Sequence, residues 1–178
     1  KTLTEFSYDV NDTLTQSSSF RNTAVTSTID GVEKGPIKSI TAYSGNQGEE
    51  QAKVTYNFNF LGTQIKTLTE FSYDVNDTLT QSSTFRNTAV TSVISGVLKG
   101  PIKSTTLYKG NQGEEQADKT YNFNYAGLQI KTLTEFTYDV NDTLTESSTF
   151  RNTAVTSVIS GVLKGPIKST TLYKGNQG

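Results

Sequence analysis

The sequence predicts an all-β chain of tandem 65-residue repeats that form one continuous, mainly antiparallel β-sheet, with a spiral, tube-like or filament-like habit. Three observations carry this. Lys-Thr-Leu-Thr-Glu-Phe begins at Lys1, Lys66 and Lys131, a fixed period of 65 residues. Apolar and polar residues alternate, as in Tyr121-Asn122-Phe123-Asn124-Tyr125, which sets three rings on one face of a strand. No stretch shows a helical period of useful length.

The period divides the 178 residues into copies at 1–65, 66–130 and 131–178. The first two copies differ at 12 of 65 positions, and the second and third only at Ser72/Thr137 and Gln81/Glu146 over the 48 residues they share. The third copy stops in a loop-like Gly-Asn-Gln-Gly and the first starts without Met. The expectation is a window on a longer array.

In the second copy, strands are expected at Gln64 to Tyr73, Thr78 to Phe85, Asn87 to Ile94, Ile102 to Tyr108 and Lys119 to Tyr125. Turn signals separate them: Asp74 to Asp77, Ser95-Gly96, Lys99-Gly100-Pro101, Gly110 to Gly113 and Ala126-Gly127. Gly-Asn-Gln-Gly with Glu114-Glu115-Gln116 is the longest polar stretch and reads as a solvated hairpin tip.

Each copy holds few large apolar side chains and the chain has no Cys, so one copy alone buries too little surface to offset its chain entropy. Neighbouring copies are therefore expected to share a core or a sheet. Five or six strands at a spacing of about 4.8 Å advance a sheet by about 24 to 29 Å per copy. Tandem β-sandwich beads and a β-solenoid with two or three rungs per copy are the alternative architectures.

Composition narrows the function classes. Thr and Ser supply about a quarter of the residues, and His, Cys, Met and Trp are absent. With a formal net charge of −1 and interspersed signs, nothing favours nucleic acid as a partner. No apolar run approaches the roughly 18 residues of a membrane helix, so no membrane insertion is expected in this window. High hydroxyl content with low oxidisability fits an extracellular or cell-surface setting.

Catalysis lacks materials: there is no His, no Cys, no phosphate loop and no Gly-x-Ser-x-Gly. The carboxylates Glu5, Asp9, Glu49 and Glu50 recur in every complete copy, which a single active site does not require, and no enzyme is expected. Asp9/Asn11/Asp12, Asp74/Asn76/Asp77 and Asp139/Asn141/Asp142 cluster hard oxygen ligands that suit Ca²⁺. The same residues tolerate left-handed backbone and bond their own main chain, so a hairpin turn explains them without an ion. No cofactor is otherwise expected.

Asn11, Asn76 and Asn141 head Asn-Asp-Thr, the acceptor pattern for an N-linked glycan, and the hydroxyl run Ser82-Ser83-Thr84 is a second place for a glycan, through oxygen. Tyr56/Phe58/Phe60 and Tyr121/Phe123/Tyr125 can stack sugar rings if they face solvent, or fill the core if they do not. The second role is expected, as it is for Phe6, Tyr8, Phe20 and their copies. Lys99-Gly100-Pro101 and its copies read as turns, with Pro lacking an amide donor at a strand start. The residues expected to matter are thus structural: Asp74, Asn76 and Asp77 at one turn, Gly96, Gly100 and Pro101 at another, and Tyr121, Phe123 and Tyr125 in the core.

Tyr73-Asp74-Val75-Asn76-Asp77-Thr78-Leu79 resembles the YD repeat of Rhs and teneurin-type shells, whose pattern is Tyr-Asp, two residues, then Gly-x-Leu. Asp77 stands at the glycine position and Thr78 where the pattern usually has Arg. Gly96-Val97-Leu98 and Tyr121-Asn122 with Gly127-Leu128 are weaker echoes. The resemblance implies long antiparallel sheets spiralling into a shell or tube, as in tandem-repeat bacterial surface proteins. The expected role is a structural fibre, tube or stalk that pairs with identical neighbouring repeats or chains. An adhesin or carbohydrate-binding array and the shell of a secreted toxin are the alternatives.

Overall fold

The computed structural model describes residues 2–24, 26 and 28–174. Eleven strands form: β1 (Thr2–Tyr8), β2 (Leu14–Asn22), β3 (Lys34–Ser44), β4 (Gln51–Phe58), β5 (Ile65–Tyr73), β6 (Leu79–Asn87), β7 (Lys99–Lys109), β8 (Gln116–Phe123), β9 (Ile130–Tyr138), β10 (Leu144–Asn152) and β11 (Lys164–Leu172). They lie in one open antiparallel sheet in chain order, β1 to β11, as the alternation and short turns predicted. No helix among the described residues is long and apolar enough to cross a membrane.

Four strands, not five or six, make one copy. Asn87–Ile94, expected as a strand, is the end of β6 followed by a loop with a 3-10 turn at Ile94–Gly96. The cause is local hydrogen bonding that competes with a sheet ladder. Asn87 Oδ1 accepts the N–H groups of both Ala89 and Leu98, at 3.0 Å each, which closes the loop on one side chain. Thr91 Oγ1 accepts the Val93 N–H at 3.0 Å.

Two further expectations are corrected. Lys99-Gly100-Pro101 opens β7 and is no turn. Gly100 is needed there because a Cβ would lie 2.5 Å from the Thr88 methyl group. Tyr125 lies beyond the end of β8 and is 83% exposed, so it is not core. The chain turns at Asn124, whose Oδ1 accepts the Leu128 N–H at 2.9 Å, and Gly127 takes the left-handed φ of 73° that closes the turn.

The chain separates into two compact units, Lys1–Phe71 with Phe85–Gly100, and Ser72–Thr84 with Pro101–Gly178. In the first, Phe58, Ile65 and Leu68 are the buried apolar residues. Phe6 and Tyr8 are more than half exposed because β1 has a neighbour on one side only. In the second, Tyr121, Ile130 and Leu133 form the core, with Leu107, Phe123, Ile159 and Val162 packed against them.

Register explains this division of faces. Tyr121 pairs with Leu133 and Thr120 with Thr134, so one row faces the core and the next row faces away. On the outward row, hydroxyls pair across strands: Thr106 with Thr120 at 2.8 Å and Thr134 with Thr149 at 2.9 Å. Thr41 and Thr55 do the same at 2.8 Å in the first unit. The high Thr content thus supplies both β-branched stiffness and cross-strand pairs.

Ile130 is fully buried and central to its cluster. Replacing Ile130 with Ala is expected to cost about 2–5 kcal/mol, measured as a fall in the urea unfolding midpoint. A change at exposed Val140 is expected to leave that midpoint in place.

Candidate functional site at the junction between copies

The residue that ends the second copy is Ile130, and its surroundings come from both sides of the boundary. Leu107, Tyr121 and Phe123 belong to the second copy, and Leu133, Ile159 and Val162 to the third. The backbone is held as firmly. Ile130 N–H donates to Thr156 O at 2.7 Å, and Asn152 Nδ2 donates to Ile130 O at 3.0 Å. Asn152 Oδ1 meanwhile accepts the N–H groups of Ala154 and Leu163 at 3.0 Å, so one amide closes the loop after β10 and clasps the junction.

The first unit repeats the clasp. Ile65 N–H donates to Thr91 O at 2.7 Å and Asn87 Nδ2 donates to Ile65 O at 3.0 Å. In the first copy, Asn22 Oδ1 closes its loop on Ala24 and Glu33, while its Nδ2 is buried with no acceptor among the described residues. Sequence reasoning did not single out these asparagines. Their signal was recurrence at every period, just before an apolar stretch.

A second clip uses a glutamate. Glu115 Oε1 accepts the Leu79 N–H at 3.1 Å and Oε2 accepts the Gly113 N–H at 3.0 Å, tying the β7–β8 loop to the start of β6. Glu50 makes the equivalent bonds to Leu14 and Gly48, at 3.0 Å each. Both carboxyls are held below their ordinary pKa, first by the bonds from Leu79 and Leu14. These recurring carboxylates therefore have structural work that needs no catalytic role.

Each copy also stacks a lysine over a ring. Lys34, Lys99 and Lys164 lie 4.0, 3.9 and 3.8 Å above the centroids of Phe20, Phe85 and Phe150. The same ammonium groups pair with Glu5, Glu70 and Glu135 at 2.7, 2.7 and 2.6 Å. With the pairs about half exposed, each contributes at most about 1 kcal/mol.

The Asp-x-Asn-Asp segments are turns. Asp139 Oδ1 accepts the N–H groups of Asn141 and Thr143 at 2.9 and 3.0 Å, and Asp142 takes φ of 60°. Asp74 and Asp9 repeat the bonds, and Asp77 and Asp12 the left-handed backbone, at φ of 60° and 57°. Asp77 thus takes a left-handed backbone that Asp tolerates better than most residues. Among the described residues, no three His, Cys, Asp or Glu side chains are grouped to hold a metal ion.

Of the aromatic sets, Tyr121 and Phe58 are buried and Phe123 packs on the core, whereas Phe60, like Tyr125, is exposed, at 75%, and is not core. A different ring lines an open cleft of about 330 Å³: Tyr138, beside Lys109, Asn111, Glu114, Gln116 and Asp142. Its hydroxyl donates to Ala117 O at 2.9 Å, and burial, then the charge of Asp118, push its pKa up.

No family model matches the chain, and no curated protein matches it. Among solved structures it is similar to a protein of unknown function from Bacteroides fragilis, at 7% identity over 97% of this chain and 92% of that one, with a TM-score of 0.26. At that score the likeness carries no argument about fold or role.

Two outcomes follow from the clips and turns. Lowered carboxyl pKa values mean that Glu50 and Glu115 contribute stability above the unfolded value of 4.5, lost as pH falls through the lower folded value. The urea midpoint is expected to drop as pH falls below about 5, and less steeply in Glu50→Gln/Glu115→Gln. Because main-chain donors already occupy one oxygen of Asp9, Asp74 and Asp139, chelator is expected to leave the melting temperature unchanged.

Proposed function

We propose that this chain is the structural repeat region of an extracellular or cell-surface filament, tube or stalk, without catalytic activity. One observation carries the reading: the core around Ile130 takes its side chains from two successive copies, so each copy completes the one before it. A polymer of such units extends by adding strands in chain order, and its partners are its own neighbouring repeats or chains. Cross-strand Thr pairs and closed loops resist fraying without disulfides.

The composition supports a role in which length is the product. No His or Cys is present, and Glu50, Glu115, Asp9, Asp74 and Asp139 are engaged by main-chain N–H groups while Glu5, Glu70 and Glu135 pair with lysines. Four strands per copy advance a sheet by about 19 Å. Electron microscopy of the native material is expected to show regular filaments whose axial repeat is at or below about 19 Å per copy. Flexible beads on a string would overturn the reading.

A carbohydrate-binding array is the second reading, and the Tyr138 cleft is the observation that favours it. Its ring, amides and carboxylates suit a neutral sugar that donates hydroxyls and stacks one face. Saturation-transfer NMR with cellotriose, chitotriose and mannotriose tests it. Transfer that is lost in Tyr138→Ala supports this reading, and no transfer from any of the three removes it.

A further inference from the structure

β1 is an open edge where its counterparts are not. In the second and third copies the same strand, β5 or β9, is covered by β4 or β8, with Tyr56 opposite Leu68 and Tyr121 opposite Leu133. Both leucines are buried, whereas Leu3, their counterpart in β1, is half-buried. Phe6 and Tyr8 are exposed where Phe71, Tyr73, Phe136 and Tyr138 are half-buried. Natural sheets blunt an open edge with proline, lysine or an inward charge. Between Thr2 and Tyr8 there is no Pro and no Lys, and the one charge, Glu5, is paired with Lys34.

The loop after β2 points to the same partner. Asn87 Nδ2 and Asn152 Nδ2 donate at 3.0 Å to the carbonyl oxygens of Ile65 and Ile130, the residues that follow the turns after β4 and β8. Their counterpart Asn22 closes its loop with Oδ1 in the same way, but its Nδ2 is buried and meets no acceptor among the described residues. Ile159 packs on Tyr121, Ile130 and Leu133, and its counterpart Ile94 is half-buried, whereas Ile29 at the same position is 89% exposed. A buried amide without an acceptor and an isoleucine left in water are both unfavourable. One group relieves both: an aliphatic residue whose carbonyl reaches Asn22.

We infer that the β1 edge is an acceptor site for one further strand of the repeat's own kind, a segment with the chemistry of Gln116–Ile130 supplied by a neighbouring copy of the repeat. Its tyrosine lies opposite Leu3, as Tyr56 and Tyr121 lie opposite Leu68 and Leu133. Its threonine lies opposite Thr4, as Thr55 and Thr120 lie opposite Thr69 and Thr134. Its isoleucine packs beside Ile29 and brings its carbonyl to Asn22 Nδ2. Main-chain bonds along β1 supply affinity, and these three positions supply register and specificity, the division of labour in strand addition.

The inference rests on the structural reading above, deepening it to name the surface through which a copy is received. The experiment is a titration of the isotope-labelled full chain with the peptide of residues 116–130, followed in amide correlation spectra. The Asn22 side-chain amide reports β1 and not β11, the sheet's other edge. Its signals are expected to shift and to saturate below about 1 mM peptide. Asn22→Asp keeps the oxygen that closes the loop and removes the donor. Followed at the β1 main-chain amides, with circular dichroism to confirm equal folding, it is expected to weaken binding at least about tenfold. Ile130→Ala in the peptide, which leaves the chain untouched, is expected to weaken it to a similar degree.

Asn22 signals that stay in place at about 1 mM peptide overturn the inference, as does binding that neither substitution weakens. So does equal binding of a peptide of residues 99–109, which would make β1 an edge open to any strand. Micrographs of the native material separate the two claims. Filaments without peptide binding leave the structural reading standing and remove the acceptor edge, and peptide binding without filaments does the reverse.

Discussion

Ile130 has no solvent exposure, yet it is the last residue of its copy, and most of what it touches is assembled around a boundary in the sequence. The rest of the arrangement follows from that placement. A fully buried isoleucine fixes where β8 and β9 meet, Asn152 then binds its carbonyl, and the loop that Asn152 closes delivers Ile159 and Val162 to the same cluster. Burial of this side chain contributes about 1.5–3 kcal/mol, and the paired amide avoids leaving a buried carbonyl unsatisfied.

Much of this was legible beforehand. Alternation in Tyr121-Asn122-Phe123 and the strand pattern of Gln64 to Tyr73 marked real strands, and Asp-x-Asn-Asp and Ala-Gly marked real turns, because period-two patterning and left-handed backbone have direct chemical signatures. The loop at 88–98 was not legible. It is rich in the β-branched residues that favour strands, but they sort inward and outward around a loop pinned by Asn87. A side chain that bonds one near and one distant N–H group leaves no mark in a periodicity.

The site residues show the same split. Asp74, Asn76 and Asp77 were readable as a turn from composition, and their geometry is a turn. Glu115 was visible as a recurring carboxylate, but its partner, the Leu79 N–H, lies 36 residues away and depends on how two hairpins pack. Tyr125 misled because the alternation runs on past Asn124, where the strand stops. Patterning fixes faces; it does not fix where a side-chain cap ends the strand.

A copy depends on its successor for its core. That dependence is tested most directly by urea and thermal unfolding of residues 66–130 alone beside the full chain. A single copy lacks Leu133, Ile159 and Val162, and is predicted to show no cooperative transition, whereas the full chain unfolds sharply. A sharp transition in the isolated 65 residues, with a midpoint near that of the full chain, would contradict it.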